Sequence, residues 1–157
     1  MTPEHKKILK ALYLEHNKKK YPSTPDECRP NKYYNDKTAN GLTTCIKDFL
    51  NNSGWQAERI SVTGRRVDNL KGGNKPKAFG LVTKFGKTIF IKSTMTKGSA
   101  DISATIKGKS VKIEVKIGSD TIKKDQTEYK KNIENAGGIY FIAKSFADFY
   151  EKYLLII

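Results

Sequence analysis

Asp101, Glu114 and Lys116 are the residues of this 157-residue chain whose types and spacing could do chemistry together. Glu114 and Lys116 stand two apart in Ile113-Glu114-Val115-Lys116, and Asp101 closes the run Gly98-Ser99-Ala100-Asp101 ahead of them. Two positions apart on a strand means one face and a separation of about 6–7 Å. Two carboxylates that reach one hard cation, which needs ligands at about 2.0–2.1 Å for magnesium, make a cation grip with an ammonium beside it. A Glu-x-Lys step alone says little, because the wet face of an antiparallel sheet is commonly dotted with Glu and Lys. The chemistry therefore depends on which elements bring Asp101 to the same place.

The segment 100–117 reads as a β-hairpin. Ile102, Ala104 and Ile106 alternate on one arm, and Val111, Ile113, Val115 and Ile117 on the other. A two-residue Gly108-Lys109 loop suits a type II′ turn. Counting outward from that turn pairs Ile106 with Val111, Ala104 with Ile113 and Ile102 with Val115. Every apolar pair then shares a face, and a slip of one residue would destroy the match. In this register Asp101 lies opposite Lys116 and Ser103 opposite Glu114. Asp101 and Glu114 become diagonal neighbours with backbones about 7–8 Å apart.

Two flanking features add to the hairpin. Gly98-Ser99 precedes Asp101 and permits a close approach by backbone or ligand. A helix over 123–136, ending at Gly137-Gly138, carries Tyr129, Ile133 and Ala136 as an apolar stripe with Gln126 one turn earlier. An amide at that place is either a satisfied core residue or a group that orients a site; the sequence leaves both open.

Charge supplies a second line. Thirty Lys and Arg against sixteen Asp and Glu give +14, an excess that favours a polyanionic partner, nucleic acid above all. From Asn69 to Ala100 there are seven lysines and no acid. Lys71, Lys75, Lys77 and Lys97, with Arg65 and Arg66 just before, are the candidate phosphate contacts. No amphipathic helix with a large apolar face accompanies them, which argues against a membrane surface. No apolar run reaches the length of a bilayer span, and the start of the chain lacks the apolar core of a secretion signal. Cys28 and Cys45 have no CxxC spacing, so free thiols and a cytoplasmic protein are expected.

The rest of the chain reads as a single α/β domain. A first helix covers 3–19, a polar loop 21–40, a second helix 42–52 and a strand 55–62. Residues 65–80, with three glycines and a proline, read as a loop, and 88–93 as a strand. A further strand covers 139–143, and Ser145-x-x-Asp148 opens a last helix as a capping box. The phosphate-loop lookalikes at Gly80–Thr88 and Gly108–Ser110 have the wrong spacing or lack a glycine.

Gly98-Ser99-Ala100-Asp101, then Ile113-Glu114-Val115-Lys116, then Asp125-Gln126 ahead of a helix ending in Gly-Gly, resembles the PD-(D/E)XK nuclease superfamily. More narrowly it is similar to the virus-type replication-repair nuclease (VRR-NUC) branch, often found in phages. The resemblance covers about residues 41–150 and implies a restriction-endonuclease-like domain, a mixed sheet flanked by helices in an αβββαβ core. It divides the chain into an N-terminal helix and loop extension over 1–40 and a nuclease-like domain over 41–157.

The resemblance further implies that Asp101, Glu114 and the Val115 carbonyl hold Mg²⁺ or Mn²⁺. Lys116 would orient or help deprotonate the attacking water and stabilise charge at the scissile phosphate, and Gln126 would match the branch's glutamine near the site. DNA is the implied substrate, with flapped, branched or junction DNA the implied preference, in a bacterial or phage-infected cell. Relatives often carry a glutamate in the first core helix; here that helix offers only Asp48, whose apolar neighbours suggest a solvent-facing place. Glu58 and Asp68 are weaker candidates for a further carboxylate. Other readings remain: a DNA-binding module without catalysis, a nuclease or binder directed at RNA, or a hairpin whose charges only solubilise it. Metal count and oligomeric state stay open, a homodimer included.

Overall fold

The computed structural model describes residues 1–61, 65–68, 88–91 and 96–157. Met1–Ile60 together with Lys97–Ile157 form one compact unit, and Ser61–Thr96 form a second.

In the first unit, α1 (Pro3–Lys20) starts at Thr2, whose hydroxyl accepts the His5 amide. The loop after it contains one 3₁₀ turn at Asp26–Cys28. Helix α2 (Ala39–Asn52) is capped by the Thr38 hydroxyl, which accepts the Gly41 N–H at 3.1 Å. It begins three residues earlier than the apolar periodicity suggests, because a cap lies outside the apolar stripe it serves. Leu42, Cys45, Ile46, Phe49 and Leu50 form the buried stripe of α2. The Asn51 side chain then brackets Ala57, donating to its carbonyl and accepting its amide at 2.9 Å each, and so pins β1 (Gln56–Arg59) to the end of α2.

The sheet of this unit has the order β1, β4 (Ile102–Ile106), β5 (Lys109–Val115), β6 (Ile139–Ala143). The first three strands are antiparallel neighbours, while β6 runs parallel to β5. A parallel partner demands a crossover, and α3 (Lys124–Asn135) provides it. One sheet face, built from Ala57, Ile102, Ala104, Ile106, Val111, Ile113, Val115 and Ala143, packs into a core with α2 and α4 (Phe146–Leu154). Helix α4 opens as its sequence suggests: the Ser145 hydroxyl accepts the Asp148 amide, and the Asp148 carboxylate accepts the Lys144 amide. The chain is thus a mixed α/β protein with a four-stranded mixed sheet flanked by helices. No described helix is long and apolar enough to cross a membrane.

In the second unit, β2 (Arg65–Asp68) pairs antiparallel with β3 (Thr88–Ile91). Residues 65–68 are therefore a strand and not part of a loop. Lys71, Lys75 and Lys77 lie outside the described residues, and so do the side chains of Arg65, Arg66 and Asp68.

The hairpin differs from its expected register by two residues. Its turn is Lys107-Gly108, with φ of 48° and 75°, not Gly108-Lys109. Positive φ at both central positions is the type I′ turn, whose twist matches that of the strands it joins. Ile106 accordingly pairs with Lys109, Ala104 with Val111, Ser103 with Lys112 and Ile102 with Ile113. Because strand side chains repeat every two residues, this shift moves no residue to the other face. It does change which residues are opposite: Ser103 faces Lys112 rather than Glu114. Continued by one pair, it sets Asp101 beside Glu114 rather than beside Lys116.

Candidate active site

The candidate site lies on the sheet face opposite the core, where α3 crosses. Glu114 occupies the penultimate position of β5 and Lys116 the residue after that strand. Both are buried, at 3% and 6% exposure. Lys116 is anchored through its backbone by an N–H donated to the Ala143 carbonyl of β6 at 3.0 Å. Its ammonium stands 3.1 Å from Glu114 Oε1 and 3.3 Å from Asp120 Oδ2.

Asp101 precedes β4, and its Oδ2 accepts the Val115 N–H at 2.9 Å. That bond ties the loop before β4 to the strand carrying Glu114. The loop reaches this place because Gly98 sits at φ +80°, where a Cβ would collide with the Asp125 carbonyl. The glycine therefore admits the start of α3, a backbone approach that a larger residue would block.

Gln126 completes the corner from α3. Its Oε1 accepts the Lys123 amide at 3.0 Å, capping its own helix, and its Nε2 donates to Glu114 Oε1 at 2.5 Å. Gln126 therefore ties the start of α3 to the Glu114 carboxylate. One side of Glu114 is thus fully engaged by Lys116 and Gln126. The other oxygen, Oε2, is buried with no hydrogen-bond partner among the described residues.

The electrostatics follow from this packing. Burial, and then the Asp101 charge, push the Glu114 carboxyl above its ordinary range, against the opposing pull of Lys116 and Gln126. For Lys116, burial acts to lower the pKa, but the contacts with Glu114 and Asp120 outweigh it and the net shift is upward. Lys116 is held as a cation, whereas Glu114 carries its charge at a cost that a further cation would relieve.

That donor set fits a divalent ion. Two neighbouring carboxylates, one with an unpartnered oxygen among the described residues, suit magnesium, which keeps several waters and is commonly bound by one or two carboxylates plus substrate phosphates. Among the described residues no group of three or more His, Cys, Asp and Glu comes together in a metal-ligating cluster. The candidate ligands are therefore Asp101 and Glu114, with the Val115 carbonyl implied by the motif.

The remaining candidates are placed elsewhere. Asp48 is not solvent-facing: it is 8% exposed and accepts the Tyr34 hydroxyl at 3.2 Å, Lys32 at 2.5 Å and Lys47 at 3.1 Å. It lines a cleft of about 350 Å³ between α1 and α2, whose lining contains none of the site residues. Cations from Lys32 and Lys47 meet its carboxylate, which offsets the cost of burying it in that polar cleft. Glu58 is exposed on β1, paired with Ser103. Lys97 is ion-paired with Asp125 at 2.9 Å, so one of the expected phosphate contacts already has an acidic partner.

Sequence reasoning missed Tyr140. This β6 residue pairs with Lys112, shares the face of Glu114, and is 6% exposed. Its ring meets Tyr129 of α3 edge-on at 6.3 Å, and its hydroxyl has no hydrogen-bond partner among the described residues. Burial first, then Glu114 and Asp101, push its pKa upward. The available signal was strand parity alone, which sets Tyr140 on the face opposite Ile139 and Phe141. No family model, curated protein or solved structure matches the chain.

Proposed function

We propose that this protein is a metal-dependent nuclease that hydrolyses DNA phosphodiesters at the Asp101–Glu114–Lys116 corner, on a restriction-endonuclease-like domain. The observation that carries this reading is Glu114: a buried carboxylate beside Asp101 with one oxygen engaged and the other without a partner among the described residues. A structural ion pair has no use for that arrangement. A cation-binding carboxylate does.

A divalent ion held by Asp101 and Glu114 would neutralise charge on the phosphate and lower the pKa of bound water. Asp101 is positioned for this by the Val115 amide, and Glu114 by Gln126. Lys116, kept protonated by its two carboxylate neighbours, is suited to steadying negative charge that grows at the phosphate during attack. The +14 charge of the chain favours a polyanionic substrate. Within DNA, the motif resemblance favours flapped, branched or junction structures.

The test is cleavage of labelled single-stranded, duplex, flap and four-way DNA, with matched RNA, in Mg²⁺ or Mn²⁺ and again in EDTA. Metal-dependent cutting that chelator abolishes is expected. Full turnover in EDTA contradicts the metal, and no cutting of any member with either ion contradicts the nuclease.

A further inference from the structure

Tyr140 sits where a phenylalanine would fill the same space. It lies outside the main apolar core, on the opposite sheet face, in the strand next to Glu114 and beneath Tyr129. Buried tyrosine hydroxyls ordinarily find a partner, and burying one without a partner is unfavourable. Here the hydroxyl has none among the described residues, and neither has Glu114 Oε2. The two atoms belong to adjacent parallel strands, on residues whose partners are Lys112 and Ile142, so they share one face a single diagonal step apart. Two buried polar atoms of complementary kind, a donor and an acceptor, thus belong to diagonal neighbours on one sheet face.

We propose that Tyr140 is a positioning residue of this site, whose hydroxyl donates to the Glu114 carboxylate when the site is loaded with a divalent cation. The inference rests on the proposed function and deepens it. Gln126 holds Glu114 from α3, and Tyr140 would hold it from β6, leaving the carboxylate one orientation. Carboxylates that bind metals are commonly fixed by such outer hydrogen bonds, and losing one costs about 10–100-fold in affinity or activity.

The experiment is a calorimetric Mn²⁺ titration of wild type and Tyr140→Phe, paired with thermal unfolding of both in EDTA. Tyr140→Phe should weaken Mn²⁺ binding about 10-fold, with an unfolding temperature in EDTA equal to or above wild type. A structural role for the hydroxyl would instead lower the unfolding temperature in EDTA, and that result overturns the inference. Equal Mn²⁺ affinity in the two proteins overturns the inference alone. Absence of Mn²⁺ binding by wild type overturns the proposed metal site and this inference with it.

Discussion

Asp48 and Glu114 are both buried carboxylates with lysines and a tyrosine close by, and they are finished differently. Around Asp48, between α1 and α2, the Tyr34 hydroxyl donates to Oδ2, Lys32 pairs with the same oxygen and Lys47 pairs with Oδ1. Around Glu114, Lys116 and Gln126 share Oε1, while Oε2 and the Tyr140 hydroxyl stay idle among the described residues. The first arrangement is closed: the charge has its complement, and nothing more is needed to make it stable. The second is open and keeps a like charge, Asp101, close enough to raise the Glu114 pKa. Burial of charge alone does not mark a functional site. The proposed function rests on the second feature of Glu114, burial with one oxygen left unpartnered among the described residues.

The largest effect that can break this contrast is on cleavage. Asp101→Asn and Glu114→Gln should each abolish cutting while leaving or improving DNA affinity, since each removes a negative charge facing the phosphates. Mn²⁺ at about 100 times its Kd should stabilise wild type by about 2.7 kcal/mol, and neither variant should gain it. Near-wild-type cutting by either variant would remove that residue from the ligand set.

Asp48→Ala should do the reverse. It strands the Tyr34 hydroxyl, a loss of about 1–3 kcal/mol, while its half-exposed lysine pairs add little. The unfolding temperature should fall by about 2–4 °C per kcal/mol, with the cleavage rate per folded molecule unchanged. A rate that collapses with stability intact would make Asp48 part of the site.

A smaller effect concerns the acid-free stretch. Replacing Lys71, Lys75 and Lys77 together should flatten the dependence of log affinity on log salt by about 0.9 for each duplex phosphate no longer neutralised. An unchanged slope, measured by fluorescence anisotropy, would mean these lysines are merely solvated.

The smallest effect is on stability in chelator. Glu114 has a raised pKa, so between the ordinary carboxylate range and that raised value the folded state binds more protons than the unfolded one. Stability therefore falls as pH rises through this window. Glu114→Gln should flatten that part of the curve in denaturant titrations at successive pH values. A wild-type curve that rises with pH there would contradict the raised pKa.

The sequence carried the two faces of the hairpin better than the register between its strands. Alternation along 102–117 assigns the two hairpin faces, and both survive in the structure. Yet alternation cannot distinguish registers two residues apart, since each keeps every side chain on its face. The turn decides between them, and Lys107 at positive φ is a choice that a Gly-Lys pair does not announce. Asp48 was misplaced for a related reason. Helical spacing reports where apolar residues lie, not whether a distant Lys32 and Tyr34 will cover a carboxylate beside them. Gln126 was singled out with its role undecided, because a hydrogen bond to Glu114 depends on how α3 crosses the sheet.

The most direct test of the open corner is single-turnover cleavage at saturating protein by Lys116→Ala and Lys112→Ala, compared with wild type. Lys112 is the internal control, on the same strand face two residues nearer the turn, with its ammonium on the Ser103 hydroxyl. Lys116→Ala should cut about 10²-fold more slowly, as expected on losing one electrostatic or acid–base group, with affinity changed only a few fold. Lys112→Ala should cut at nearly the wild-type rate. Equal rates for the two variants would make Lys116 one more buried cation and contradict the active site assigned around it.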